Sequence, residues 1–291
     1  MLETVSKLSI GTAQFGMPYG IANQNGQVNA NEIQSILDFA YENDINTLDT
    51  AKAYGNSEKS IGEYLIKTEK SWNIITKVND GDKSIVEQIQ DSKEKLTVKP
   101  TVVLAHSANL FIDPVFQLEL QEAKDNELIG SIGVSLYNEK EINQVLESHL
   151  KPKVVQLPMN ILDTRLYRHG VLDKLFEKGI EIHVRSAFLQ GLFYLSKFYL
   201  ENHFEDVVPC LEKLKSISAK VGLTLAELSL LWLASLKEVS KIIIGVDNVN
   251  QLKAHLETLK KNVDSSIFEE ALSIHYENEN ILNPSLWSVK S

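Results

Sequence analysis

Short apolar runs, largely β-branched, punctuate the chain at residues 8–11, 45–49, 73–77, 101–106, 129–135, 153–157, 180–186 and 241–245. Several are apolar at nearly every position rather than at alternate ones, the pattern of strands covered on both faces. Between them the apolar residues recur at helical spacing. Ile33, Ile36, Leu37 and Ala40 mark a helix over 31–42, and Ile61 and Leu65 mark one over 57–66. Further helices are expected over 84–96, 114–124, 139–150, 170–178 and 248–259. Two more, over 206–221 and 224–236, fall between the seventh and eighth strands. Gly222 stops the first of that pair and Thr224 caps the second.

Strands alternating with helices predict parallel pairing through right-handed crossovers. An open doubly wound sheet that binds a dinucleotide would need a G-x-G glycine pair, and the chain has none. The expected fold is therefore α/β, a closed (β/α)8 barrel of the TIM type, with residues 1–291 forming one domain.

Composition narrows the class. The formal charge of −10 disfavours binding to nucleic acid or to an anionic membrane, since phosphates would be repelled. Cys210 is the sole cysteine, so no internal disulfide forms, in keeping with a reducing cytoplasm. Residues 1–10 do not read as a signal peptide, and no window approaches the roughly 18 apolar residues of a membrane span. The expected partner is a small molecule, the expected location cytoplasmic, and the expected state a monomer or weak oligomer.

Barrels of this kind place chemistry at the C-terminal ends of their strands. That rule selects Asp49, Lys77 and His106 at the ends of the second, third and fourth strands, with Tyr54 five residues past Asp49. Each has an ordinary reading: a helix cap, a solvated charge, a structural imidazole, a loop anchor. Together at one rim they suit proton transfer to a developing alkoxide. Lys77 beside Tyr54 would lower the phenol from its usual pKa of about 10. Asp49 would pair with Lys77, and His106 would aim a carbonyl. Tyr54 would act as acid in reduction and as base in oxidation. None of these groups supplies a hydride, so a cofactor must.

The run Asp49-Thr50-Ala51-Lys52-Ala53-Tyr54-Gly55-Asn56-Ser57-Glu58 resembles the aldo-keto reductase signature D-T-A-x-x-Y-G-x-S-E. Ile75-Thr76-Lys77 and Val103-Leu104-Ala105-His106 are similar to that family's lysine and histidine strands. Ile132-Gly133-Val134-Ser135, Val155-Gln156 and Arg185-Ser186-Ala187-Phe188-Leu189-Gln190-Gly191 resemble its later motifs. The resemblance implies an NAD(P)-dependent reductase of aldehydes or ketones, with Asp49, Tyr54, Lys77 and His106 catalytic. It implies that Ser135 and Gln156 hold the nicotinamide carboxamide and that Gly11, Thr12 and Gln14 line the rim. Ser186, Phe188 and Gly191 would follow the pyrophosphate.

Some positions depart from the family pattern. Leu136 replaces an asparagine beside Ser135, and His255 replaces one that meets the adenine. Arg185 replaces an aromatic residue that stacks under the nicotinamide. A guanidinium can stack as a plane, yet its charge opposes the oxidised ring and favours the reduced form; alternatively it reaches a substrate anion. Gly245 and Gln251 stand where NADPH-using members carry lysine and arginine, and Asp247 between them would repel a 2′-phosphate. Lys241 and Lys253 flank the stretch and would offset that. Local charge thus points to NADH and the resemblance to NADPH.

The substrate wall is expected from residues 17–23 and from Arg165, Tyr167 and Arg168, with Trp287 in the segment 278–291 reaching over. Arginines at the mouth suit a phosphorylated or carboxylated substrate, such as a sugar derivative; a small aldehyde is the alternative. Ordinary packing and solvated charge are the plain readings of these residues. Two rival functions remain: a nicotinamide-binding regulatory or partner subunit with little turnover, and a metal-dependent hydrolase, for which no ligand spacing is present.

Overall fold

A computed structural model describes residues 2–81 and 83–288. Eight parallel strands close into a barrel in sequence order, β1 pairing with both β2 and β8. They are β1 (Leu8–Gly11), β2 (Thr47–Asp49), β3 (Asn73–Val78), β4 (Val102–Ala105), β5 (Ser131–Ser135), β6 (Val154–Pro158), β7 (Glu181–Arg185) and β8 (Val239–Gly245). The α/β barrel expected from the sequence is the one observed. Side chains inside it form layers: Ile75, Val102, Leu104 and Val154 make a small inner apolar cluster. The larger core lies outside, between strands and helices, because near-continuous apolar strands need a cover on both faces.

Capping residues set the helix starts. Asn29 accepts from the N–H groups of Asn31 and Glu32 and opens Ala30–Glu42. Reciprocal Ser84/Glu87 and Thr224/Glu227 capping boxes open Ile85–Leu96 and Leu225–Ser235. The helix expected over 139–150 stops earlier, at Glu139–Glu147. Ser148 there turns extended and its hydroxyl donates to the carbonyls of Val145 and Leu150, so the chain leaves the helix toward β6. The helix expected from 206 begins as the 3-10 turn Glu205–Val207 and continues as Val208–Lys220.

Leu225–Ser235 is apolar all round because it is packed all round, against both flanking helices and β8. No single helix among the described residues is long and apolar enough to cross a membrane.

Candidate active site

The C-terminal rim gathers the four residues read as catalytic and those read as lining the cofactor path, from Gly11 to His255, into one cavity of about 750 Å³, the flanking Lys241 and Lys253 excepted. Asp49 ends β2, Lys77 stands next to last in β3, and His106 follows β4. Lys77 Nζ donates to Asp49 Oδ2 at 2.6 Å and to the Thr50 carbonyl at 2.9 Å. The two side chains are only 1% and 4% exposed. Either charge buried without the other would be costly, so each holds the other in place. The ammonium lies 5.0 Å from the centroid of the Tyr54 ring.

The remaining residues of the first motif hold Tyr54. Thr12 donates to the Asp49 carbonyl from its N–H at 3.0 Å and from its hydroxyl at 2.9 Å. Ser57 Oγ lies 2.8 Å from both the carbonyl and the hydroxyl of Thr12, and 3.0 Å from the Thr50 hydroxyl. Thr76 donates to Glu58 Oε1 at 2.6 Å. This buried network ties the Tyr54 loop to β1, β2 and β3. Gly16 completes it, since a Cβ there would collide with the Tyr54 carbonyl and the Ser57 N–H. Nothing in the local sequence singles Gly16 out; its reason is a backbone contact made across the rim.

Electrostatics correct one expectation. Burial, and then the Asp49 carboxylate, push Tyr54 up from its ordinary value rather than down. Lys77 sits beside the ring, but its charge is matched by Asp49 at 2.6 Å. The cation that pulls Tyr54 down is Arg185. Burial pulls Lys77 itself below its usual value while Asp49 pushes it back up. Burial, then Lys77 and Arg185, bring His106 down to about 4, so its imidazole is neutral near pH 7.

Burial also brings His255 down to about 4. The unfolded chain takes up these protons near 6.5, the folded chain only near 4, so stability falls as pH drops through that window and is unaffected above it. In His106→Asn/His255→Asn the shift of the urea midpoint between about pH 7 and pH 5 should shrink markedly. An undiminished shift would place the acid sensitivity elsewhere.

The groove continues from this centre past Ser135, Gln156, Ser186 and Phe188 to Gly245, Asp247, Gln251 and His255. Gln156 Nε2 donates to Asp49 Oδ1 at 2.7 Å, while its Oε1 is buried with no partner. Such an orphaned acceptor fits an amide N–H brought by a ligand. Positive φ at Ser186, Leu189, Gln190 and Gly191 bends the loop after β7 along the groove. The His255 ring stacks on Phe188 at 4.9 Å and 15°. These features suit an extended dinucleotide.

Leu136 is fully buried and does not face the cavity, while Tyr137 beside it does. Tyr137, Tyr194 and Glu227 are lining residues that the sequence reading missed. Tyr137 had a signal, two residues past the Ser135 strand end. Glu227 reads as a helix cap, which it also is.

Several substrate-wall expectations fail. Tyr19, Gly20, Ala22 and Asn23 line the cavity, but Arg165, Tyr167, Arg168 and Trp287 do not. Arg165 binds Asp163 through two bonds of 2.8 and 3.0 Å and also reaches Glu279. Arg168 meets Thr164 and Glu277. Tyr167 packs edge-on against Trp232, and Trp287 against Phe204. Residues 289–291 of the segment carrying Trp287 lie outside the described residues. Lys241 and Lys253 do not serve the groove either: Lys241 donates to the Ser6 carbonyl near the start of β1, and Lys253 lies over the Phe39 ring.

Comparison with known proteins agrees with this geometry. The model of the aldo/keto reductase family matches residues 7–274. An NADH-specific methylglyoxal reductase of Escherichia coli strain K12 is 24% identical, over 90% of this chain and 92% of that protein. The holo form of an aldo-keto reductase from Bacillus halodurans superposes with a TM-score of 0.76 at 20% identity, over 94% of each chain. A glycerol dehydrogenase from Gluconobacter oxydans does so with 0.69 at 18%, over 92% of this chain and 90% of that one. With the barrel, the rim quartet and the family match over most of its length, the chain belongs to the aldo/keto reductase family of nicotinamide-dependent carbonyl oxidoreductases.

Proposed function

We propose that this enzyme reduces a small carbonyl compound with NADH, using Tyr54 as the general acid. The observation that carries the acid role is the buried Asp49–Lys77 pair set against the Tyr54 ring at the cavity's inner end. When bound, the nicotinamide supplies the hydride. Gln156 Oε1 and the Ser135 hydroxyl would hold its carboxamide. Neutral His106 donates a hydrogen bond to the substrate oxygen and aims it. Tyr54, kept protonated by burial and Asp49, gives its proton to that oxygen as negative charge develops there. Lys77 steadies the phenolate left behind, and Asp49 keeps Lys77 charged and aligned.

Charge at the far end of the groove supports NADH. Gln251 Nε2 donates to Asp247 Oδ2 at 3.2 Å, and the Asp247 N–H donates to Gln251 Oε1 at 2.8 Å. Among the described residues lining the cavity, Lys77 and Arg185 are the cations, both at the catalytic end. Lys261 approaches the far end but is paired with Glu227. A ribose hydroxyl suits this acceptor-rich end, and a 2′-phosphate does not.

Fluorescence titration should give a Kd for NADH at least about 10-fold below that for NADPH, the ratio that ~1.4 kcal/mol sets. Asp247→Ser/Gln251→Arg should narrow or reverse it. A wild-type preference for NADPH would refute the charge argument. Tight binding of both forms with no turnover across a carbonyl panel would instead mark a regulatory subunit.

A further inference from the structure

The chain's arginines are Arg165, Arg168 and Arg185. The first two are committed to carboxylates away from the cavity. Arg185, at the C-terminal end of β7, faces the catalytic end of the cavity and has no ion-pair partner among the described residues. Its guanidinium carbon lies over the Tyr137 ring, 4.2 Å from the centroid, and its one hydrogen bond among the described residues is a long one to the Leu136 carbonyl at 3.4 Å. A guanidinium carries five N–H donors, so most of the fork is unused. The contact with the Tyr137 ring holds the group at this place beforehand. The other cavity cation, Lys77, is neutralised by Asp49. The catalytic end therefore holds one unmatched positive charge on a fork shaped for two oxygens of an anion. That charge is felt at Tyr54, Tyr19 and His106 alike, which places it beside the reacting centre.

The geometry points to an anionic substrate: an aldehyde or ketone whose carboxylate or phosphate is gripped by Arg185 while its carbonyl meets Tyr54 and His106. This rests on the reductase reading above and names the substrate class of the same site. Tyr19 and Tyr137 line the same cavity and bring further phenols to it. The phosphorylated or carboxylated compound expected from Arg165 and Arg168 thus regains a basis, on a different arginine.

The test compares matched aldehydes that differ in charge. Succinic semialdehyde is set against butyraldehyde, and glyceraldehyde 3-phosphate against glyceraldehyde, each with NADH. In the wild type kcat/KM should favour the charged member of at least one pair, and which pair separates carboxylate from phosphate. Arg185→Gln should reduce that charged-to-neutral ratio by about 10- to 150-fold, the range of a charge-assisted hydrogen bond, and Arg185→Lys should restore part of it. A ratio unchanged by Arg185→Gln overturns the proposal. So does an equal loss for both members together with a weaker NADH Kd, which would assign Arg185 to the cofactor. Should no aldehyde turn over, the reductase reading fails separately. Quenching of bound NADH by succinate and by inorganic phosphate, against neutral succinamide, then decides the anion site. Binding of either anion that Arg185→Gln abolishes sustains it, and no preference over succinamide sinks it.

Discussion

Tyr54→Phe should lower kcat by about 10³-fold, within the range typical of a lost general acid, while leaving the NADH Kd nearly unchanged. The substitution removes one oxygen from a ring that the loop network, not the hydroxyl, holds in place. Thr12, Thr50, Ser57, Glu58 and Gly16 fix the backbone on either side, so the phenyl ring should sit where the phenol did. What goes is the proton. Burial and Asp49 raise the Tyr54 pKa, so the acid form persists in the free enzyme beyond pH 10, and reduction should show no falling limb from this group below that pH.

Three further phenols line the cavity, Tyr19, Tyr137 and Tyr194. Tyr19 is the nearer rival in chemistry, its pKa pushed up to about 12 by burial and by Tyr54. A kcat for Tyr54→Phe within about tenfold of wild type would remove Tyr54 from the acid role, since proton donation is worth at least ~10². Tyr19→Phe would then show the larger loss.

Three of the quartet were legible because they stand at strand ends, which follow from runs of apolar residues, and Tyr54 was legible from the motif that begins at Asp49. Asp49, Lys77 and His106 need only the barrel rule to be chosen. The residues that motif order assigns to a cofactor path, such as Ser135, Gln156, Ser186 and Asp247, all line the cavity, while the flanking Lys241 and Lys253 do not. What stayed hidden depends on partners distant in the chain. Arg165 and Arg168 look like free cations until Glu279 and Glu277 fold back over them. Lys253 flanks Asp247 in sequence but lies on the other side of its helix, over Phe39. The sign of the Tyr54 shift was hidden for a related reason. Which neighbour wins depends on distance and burial, and Lys77 spends its charge on Asp49.

Lys77→Met should destabilise the fold by about 3–5 kcal/mol at pH 7 and abolish turnover, because it leaves a buried carboxylate without its cation. Methionine matches the length and volume of the lysine stem, so little of the effect comes from packing. Asp49 keeps the amide of Gln156 on one oxygen and loses the ammonium from the other. Its carboxyl in the variant is therefore raised above the unfolded value of about 3.9. A group with a raised folded pKa holds its proton in the folded chain when the unfolded chain has lost it. Stability contributed this way is present at low pH and is lost as pH rises through the folded pKa. Lys77→Met should accordingly be less destabilised at pH 5 than at pH 8, judged by urea unfolding against wild type. Asp49→Asn/Lys77→Met removes the unmatched charge and should recover most of the lost stability while remaining inactive. A double variant no more stable than Lys77→Met would show that the lysine stem or the Thr50 contact, rather than the ion pair, holds this part of the rim together.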